Sequence, residues 1–504
     1  MLAKRLALSI VVGIMTAIWM RKHVMLKNVL IVGLVVVLFV AWFFRGGSAR
    51  AQVQSRSGSP TSQARKRSDV RVYVTSSTQG MSEKPQASWA TVTSTEDATI
   101  TIDGSKKYQD ILGFGGAFTD AACFMINELS ADAREKLLKE MFAPDQLGLS
   151  VCRVCMGASD YATHLYSYDD GDADPELKRF SIDHDKKYIL PILKQSREIN
   201  PDLFLFASPW SPPGWMKAGG SMLGGSMRQS FMPAYAQYFV KFLKSYDQAG
   251  VPIQAVTVQN EVDTDQDGRM PACSWPQEYE VGFIANLLGP SFEKEGLKTK
   301  IWFIDHNYNL WGRAIASLED ANFRKYAGGV AWHGYVGEAH KMSTVHDAFP
   351  DVPMYWTEGG PDITDPNYAL DWTKWGKSFT SSLRNWCEAI TAWNLALDEE
   401  GKPNIGPFPC GGVVTIDKKD KSIRKSGQYW ALAHFSKFVK RGAKRISSEA
   451  KIDGVEHVAF ENKDGHRVAV ITNTGAARTV SLQDGDAKVE LSLEPNSLTT
   501  LVWE

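Results

Sequence analysis

Two glutamates stand where a carboxylate can do acid–base chemistry. Glu261 follows the run Ala255-Val-Thr-Val-Gln-Asn260, and Glu358 follows Met354-Tyr-Trp-Thr357. Both runs are rich in β-branched and aromatic residues and read as buried strands, so each carboxylate falls at the C-terminal end of a strand. Two carboxylates flanking a glycosidic bond can break it: one protonates the leaving oxygen while the other attacks the anomeric carbon, and about 5 to 5.5 Å between them gives retention of configuration. A single strand-end Glu is more simply a loop cap or the partner of an Arg. Two of them, set among aromatics, favour the catalytic reading. Trp210 and Trp215 lie in Ser208-Pro-Trp-Ser-Pro-Pro-Gly-Trp215, Trp356 precedes Glu358, and Trp393 ends a later strand. An indole can cover the apolar face of a sugar while neighbouring polar groups take its hydroxyls. Trp302, Trp332 and Trp430 read instead as packing residues.

Other candidate chemistry is weaker. Asp263-Thr-Asp-Gln-Asp-Gly268 copies the first half of a calcium loop, but Ser274 stands at position twelve, where a bidentate Glu is needed, so no metal site is expected. These acids are expected to raise the pKa of Glu261 by like-charge proximity. Cys152 and Cys155 have the CxxC spacing, yet they lie in a strand, where residues three apart face opposite sides, and a redox CxxC sits at a helix start. The six cysteines, Cys123, Cys152, Cys155, Cys273, Cys387 and Cys410, permit disulfides without requiring them. Gly113-Phe-Gly-Gly116 lacks the third glycine and the later acid of a dinucleotide fingerprint. No cofactor is expected.

The elements that must hold Glu261 and Glu358 alternate between short apolar runs and longer amphipathic segments. Eight strands are expected over 111–118, 149–156, 203–208, 254–259, 300–304, 330–333, 353–357 and 387–393. Ser130 caps a helix over Ala131 to Phe142, and Tyr235, Phe239, Phe242 and Tyr246 stripe another over Pro233 to Gln248. Eight strand–helix units in about 290 residues fit an α/β fold of the (β/α)8 TIM-barrel class, with active sites at the C-terminal ends of the strands. After Gly411 the texture becomes strands over 455–461, 466–472, 477–482, 488–493 and 497–502, with one helix over 427–440. Early strands over 70–74 and 98–102 could pair with these, giving an attached β-sandwich domain built from both ends of the chain.

The 504 residues are 44% hydrophobic and 22% charged, which suits folded domains with a large core. The first 51 residues hold seven Lys or Arg and no acid, leaving 49 basic against 57 acidic side chains beyond them, so a nucleic-acid partner lacks its electrostatic footprint. Apolar runs over 6–20 and 29–44 are short for spanning helices. Reading from Met25 gives a secretory signal with Ala49-Arg50-Ala51 as its cleavage site; an uncleaved membrane anchor is the rival, and either way the chain is expected to be exported. The expected plan is a signal or anchor over 1–51, a linker over 52–69, sandwich strands over 70–104, a catalytic barrel over 105–410 and the rest of the sandwich over 411–504.

Six motifs together resemble glycoside hydrolase family 30, the glucosylceramidase-like family, over residue 70 to the C-terminus. They are Gly113-Phe-Gly-Gly-Ala-Phe-Thr-Asp120, Ser208-Pro-Trp210, Val258-Gln-Asn-Glu261, Trp356-Thr-Glu-Gly359, Trp393-Asn-Leu-Ala-Leu397 and His434-Phe-Ser-Lys-Phe438. The resemblance implies a retaining glycosidase with Glu261 as acid/base and Glu358 as nucleophile. It further implies that Asn260 meets the 2-hydroxyl, that Asp160 and Trp210 bind the glycone, that Trp393 lines its floor, and that His333 and Tyr335 contact substrate. The chain departs from glucosylceramidases at Gly334, where they carry Trp, and at Val262, where Pro is usual. Both departures fall on the leaving-group side. The substrate expected from the resemblance is a β-linked glucoside, glycolipid or glucan, with an endo-β-1,6-glucanase as the near alternative and a sugar-binding protein on an inactive barrel as the remote one. A thiol redox role for Cys152 and Cys155 is the third.

Overall fold

The computed structural model describes residues 69–92 and 98–504. The expected signal or anchor and nearly all of the expected linker lie outside the described residues. Four strands lead, β1 (Val70–Ser76), β2 (Gln79–Ala87), β3 (Ala90–Thr91) and β4 (Thr99–Asp110). The barrel strands follow: β5 (Gly113–Phe118), β6 (Val151–Cys155), β7 (Phe204–Ser208), β8 (Ala255–Thr257), β9 (Lys300–Asn307), β10 (Ala327–His333), β11 (Met354–Glu358) and β12 (Cys387–Asn394). All eight are parallel neighbours in a closed ring. The expected TIM barrel is therefore present, each expected strand in place.

These strands are buried on both faces, which is why they read as apolar runs rather than alternating ones. Inside the ring Phe206, Trp302 and Tyr355 pack with Val151 and with the small Ala255, Ala331 and Ala389, large against small, as a filled layer beneath the site. Trp302 and Tyr355 stack with centroids 4.0 Å apart. The strands approach closely at β5, where a Cβ on Gly115 would lie 1.7 Å from the Val151 carbonyl oxygen, so only glycine fits.

Three short strands, β13 (Ala396–Leu397), β14 (Val414–Ile416) and β15 (Ile423–Lys425), make a separate small sheet. The last six are β16 (Lys444–Glu449), β17 (Val455–Glu461), β18 (Arg467–Asn473), β19 (Arg478–Asp484), β20 (Ala487–Leu493) and β21 (Ser497–Trp503). They join the first four in one sheet ordered β2-β1-β21-β18-β17-β16-β4-β19-β20-β3. Val70, Val72 and Val74 near one end of that order share an apolar cluster with Leu482, Val489 and Leu491 near the other, so the sheet folds over into a β-sandwich. The helix after Gly411 spans Gly427–Ser436, shorter than the expected 427–440. Its His434 reaches the sandwich, with Nδ1 2.8 Å from Thr500 Oγ1 and Nε2 2.9 Å from Thr75 Oγ1. Among the described residues no helix is long and apolar enough to cross a membrane.

Candidate active site

Glu358 is the last residue of β11, and Glu261 follows β8 by four positions. Glu261 takes a left-handed backbone, φ 57°, which a non-glycine residue adopts only when its surroundings hold it. Its N–H donates to the Asp305 carbonyl at 2.9 Å. Asp305 in turn sits in a bulge of β9, where Ile304 and Asp305 are also left-handed (φ 71° and 45°) and the register against β10 slips. The bulge swings Asp305 and His306 towards the site. Its strained Ile304 N–H is satisfied by the fully buried Glu280, at 2.9 Å.

One carboxylate oxygen each from Glu261 and Glu358 and a nitrogen of His333 lie within 4.8 Å of one another. Arg153, fully buried on β6, organises the floor below them. One of its NH groups donates to Glu358 Oε2. The other donates to Asp305 Oδ2 at 2.6 Å and Asn260 Oδ1 at 2.9 Å, and Nε donates to Ser208 Oγ at 3.0 Å. Trp210 covers the guanidinium face at 4.5 Å. A buried charge left alone costs several kcal/mol, and this one has two carboxylates, two polar oxygens and an indole. Tyr335 donates its hydroxyl to Glu358 Oε1 at 3.1 Å, so both oxygens of Glu358 are held.

The surroundings of Glu261 differ. His333 Nδ1 (3.3 Å) and His306 Nε2 (3.2 Å) approach Oε1, and Gln266 Nε2 donates to Oε2 at 2.6 Å. His306 also meets Asp263 Oδ1 at 2.5 Å, so its ring bridges two carboxylates. Burial alone would lower the His306 pKa, but Asp263 and Glu261 raise it to about 10. Burial would raise Glu261, but the two imidazoles outweigh it and hold this carboxyl well below the usual range. At Glu358 burial wins and the pKa is raised, with Glu261 and Asp305 adding to it against His333 and Arg153. This corrects the expectation that Asp263 and Asp265 raise Glu261. His306 stands between Asp263 and Glu261 as a cation, while Asp265 accepts from the Asp267 and Gly225 amides and Asp267 lies near Arg269. The half calcium loop thus spends its carboxylates on separate partners.

A cavity of about 400 Å³ opens above the pair, lined in part by Asp160, Trp210, Asn260, Gln266, Tyr335, Trp393 and Cys410. Trp210 and Trp393 stack with centroids 4.9 Å apart at 20°. They share an apolar cluster with Tyr161, Met270 and Cys155. Asp160 is buried beside them, and burial, with Glu358 and Glu261 adding, lifts its carboxyl well above the usual range. A Cβ on Gly406 would lie 2.5 Å from Asp160 Cβ, so the loop between β13 and β14 closes directly onto that residue. Asn260 turns its side-chain oxygen to Arg153.

Seven of the eight residues picked from sequence line the cavity or carry its carboxylates. His333 differs: it is fully buried, and its nitrogens face Glu261 and Asp305 (3.2 Å) rather than the cavity. Trp356 packs away from the site, against Phe379 and Trp375. Trp215 donates to the Asp169 carbonyl and packs on Phe231. Cys152 and Cys155 are buried, and all six cysteines are free thiols. Residues that sequence reasoning passed over are Arg153, Asp305, His306 and Gln266. Asp305-His306 ends a strand just as Glu261 and Glu358 do, and Arg153 is a lone cation in an apolar strand, so both carried a signal.

Comparison with known proteins agrees. The model of the Glycosyl hydrolase family 30 TIM-barrel domain matches residues 111–439, and that of the Glycosyl hydrolase family 30 beta sandwich domain matches residues 442–501. The chain is 31% identical to the putative glucosylceramidase 4 of Caenorhabditis elegans over 82% of its own length and 85% of that protein. It is 34% identical to an endo-1,6-beta-D-glucanase of Neurospora crassa over 75% of this chain and 82% of that one. Among solved structures, the endo-beta1,6-glucanase BT3312 superposes with a TM-score of 0.79 at 30% identity, covering 86% of this chain and 100% of that one. Matched in both domains, with two glutamates meeting at the mouth of its barrel, the chain belongs to glycosyl hydrolase family 30.

Proposed function

We propose that the chain is an exported retaining β-glycosidase that transfers a β-linked glucosyl residue to water by double displacement. The observation that carries this is the approach of the Glu261 and Glu358 oxygens to within 4.8 Å, since an inverting pair stands about 6.5 to 9.5 Å apart to seat a water between. Glu358, its oxygens oriented by Arg153 and Tyr335, attacks the anomeric carbon and forms a glycosyl ester as the bond to the leaving oxygen breaks. Glu261 gives that oxygen its proton. Water then takes the place of the leaving group, Glu261 accepts its proton, and the ester to Glu358 is cleaved. Asp160, Trp210, Asn260 and Trp393 bind the glycone, and His333 is a positioning residue acting through Glu261 and Asp305. Carboxylate chemistry of this kind needs no cofactor.

The test is hydrolysis of aryl β-glucosides with an activated leaving group, which needs little protonation. Glu358→Gln is expected to be inactive. Glu261→Ala is expected to form the glycosyl ester and stall until azide is added, giving the β-azide. A wild-type protein that turns over no β-glucoside of any length would overturn the reading.

A second reading, endo-β-1,6-glucanase action, is supported by the likeness to the Neurospora crassa enzyme and to BT3312. It uses the same glutamates and glycone residues and differs beyond the scissile bond. Product lengths from β-1,6-glucan separate the two: glucose alone supports exo action, and a ladder of oligosaccharides supports the glucanase.

A further inference from the structure

The two oxygens of Glu261 are not equivalent. Oε1 faces both imidazoles, whereas among the described residues Oε2 accepts only the Gln266 amide, at 2.6 Å. Oε1 is thereby committed to the protein. The oxygen that exchanges a proton with substrate is Oε2, and the group beside it stands where the leaving oxygen has to arrive. Gln266 lines the cavity at that point.

Its position is fixed by the turn that carries it. Gln266 and Asp267 both have left-handed backbones, φ 52° and 51°, in a chain of non-glycine residues. Conformations of this kind persist where surrounding structure imposes them. Here the turn is seated on the loop after β7. A Cβ on Gly224 would lie 2.7 Å from Gly268 Cα, and the Gly225 N–H donates to Asp265 Oδ2 at 3.3 Å. Beneath both loops the buried Lys217 donates to Ser211 Oγ (3.0 Å), the Met222 carbonyl (2.9 Å) and the Ala272 carbonyl (2.5 Å), tying one loop to the other.

We propose that Gln266 is the specificity-determining residue of the leaving-group subsite, and that the group it reads is a hydroxyl beside the scissile bond of a sugar leaving group. In the cleft without substrate its amide occupies the leaving oxygen's place. On binding it yields Oε2 and hydrogen-bonds the neighbouring hydroxyl, for which a carboxamide offers both a donor and an acceptor. A simple alkyl alcohol has no group to fill that role. The inference rests on the glycosidase reading and adds to it the chemistry of the leaving group.

The test compares kcat/KM for an alkyl β-glucoside with that for short β-gluco-oligosaccharides of 1,3, 1,4 and 1,6 linkage. Both need protonation by Glu261, and only the oligosaccharides carry hydroxyls on the leaving group. Gln266→Ala and Gln266→Asn are the variants, Asn because it accepts a left-handed backbone while falling one methylene short. The ratio of oligosaccharide to alkyl glucoside kcat/KM is expected to fall roughly three- to tenfold in both, the worth of one hydrogen bond to a neutral group. An unchanged ratio overturns the proposal, whether because both substrates lose equally or because neither does. So does a wild type that cleaves the alkyl glucoside and no oligosaccharide. A wild type inactive on every β-glucoside overturns the glycosidase reading first, and the two failures are thereby told apart.

Discussion

His306 sets the proton affinity of Glu261, and its effect has a definite sign. The ring is raised to about 10 by Asp263 and Glu261, so it stays an imidazolium through neutral pH, 3.2 Å from Glu261 Oε1. A cation there favours the charged carboxylate, whereas a general acid has to start protonated. Because burial raises Glu358 while the imidazoles hold Glu261 low, Glu358 is expected to govern the alkaline limb of kcat/KM for substrates with a poor leaving group, and Glu261 the acid limb. His306→Asn removes the cation, and the acid limb should move to higher pH by about one unit or more; an acid limb that stays in place would show that another group governs it. The sequence exposed Glu261 and Glu358 because each follows an apolar strand. It concealed their environment, because which side chain faces an acid is decided by strands far apart in the chain. Arg153, a lone cation in an apolar strand, and His306, just past another, carried a signal of their own, but the acids that they face lie on other strands.

Elements enter through the bulge in β9. Ile304 is β-branched with φ 71°, a costly conformation held by the hydrogen bond from its N–H to Glu280 and by Asp305 accepting from Glu261. Glu280 is fully buried and also pairs with Arg313 at 2.8 Å, so it joins the helix Gln277–Phe283 to the strand that aims Asp305 and His306. Glu280→Ala is expected to cost about 3 kcal/mol, as lost partners of a buried charge and a buried amide do, read as a lower denaturant midpoint. It should lower kcat roughly ten- to hundredfold through misplaced acids while inhibition by glucose changes little. Equal losses in kcat and glucose binding would instead mean general collapse of the site. Such a bulge is not written in a periodicity: the run Lys300 to Ile304 announces a strand, and nothing in it announces a slip. The missed strands have the same kind of cause. The β2 sequence Gln-Gly-Met-Ser-Glu-Lys-Pro-Gln-Ala has no alternation of apolar residues, and it lies at the sheet edge, where polar side chains and Pro are tolerated.

At the scale of the whole molecule, acid bears on the site and on the fold through different groups. At the site it acts on two carboxyls with opposite needs in the proposed mechanism, Glu261, which gives a proton, and Glu358, which attacks ionised and which burial raises. The fold depends on His434 staying neutral, because it bridges Thr75 of β1 and Thr500 of β21 from the helix Gly427–Ser436 beside the barrel. Burial drops its pKa from the ordinary 6.5 to about 3, and burial does the same at His457, to about 4. Unfolded chains bind a proton at these positions below pH 6.5 and the folded chain does not, so stability is full above 6.5 and is lost as pH falls towards 3. For His434 the loss, once complete, is on the order of 5 kcal/mol. His434→Gln keeps a side chain able to donate to one threonine and accept from the other but has no proton to gain. Its Tm at pH 7 should lie within a few degrees of wild type, and its fall between pH 6.5 and 3 should be shallower, with His457 and the carboxylates supplying what slope remains. Identical slopes would remove His434 from the account. A shallower one would mean that the seam between barrel and sandwich limits how far into acid the folded chain persists.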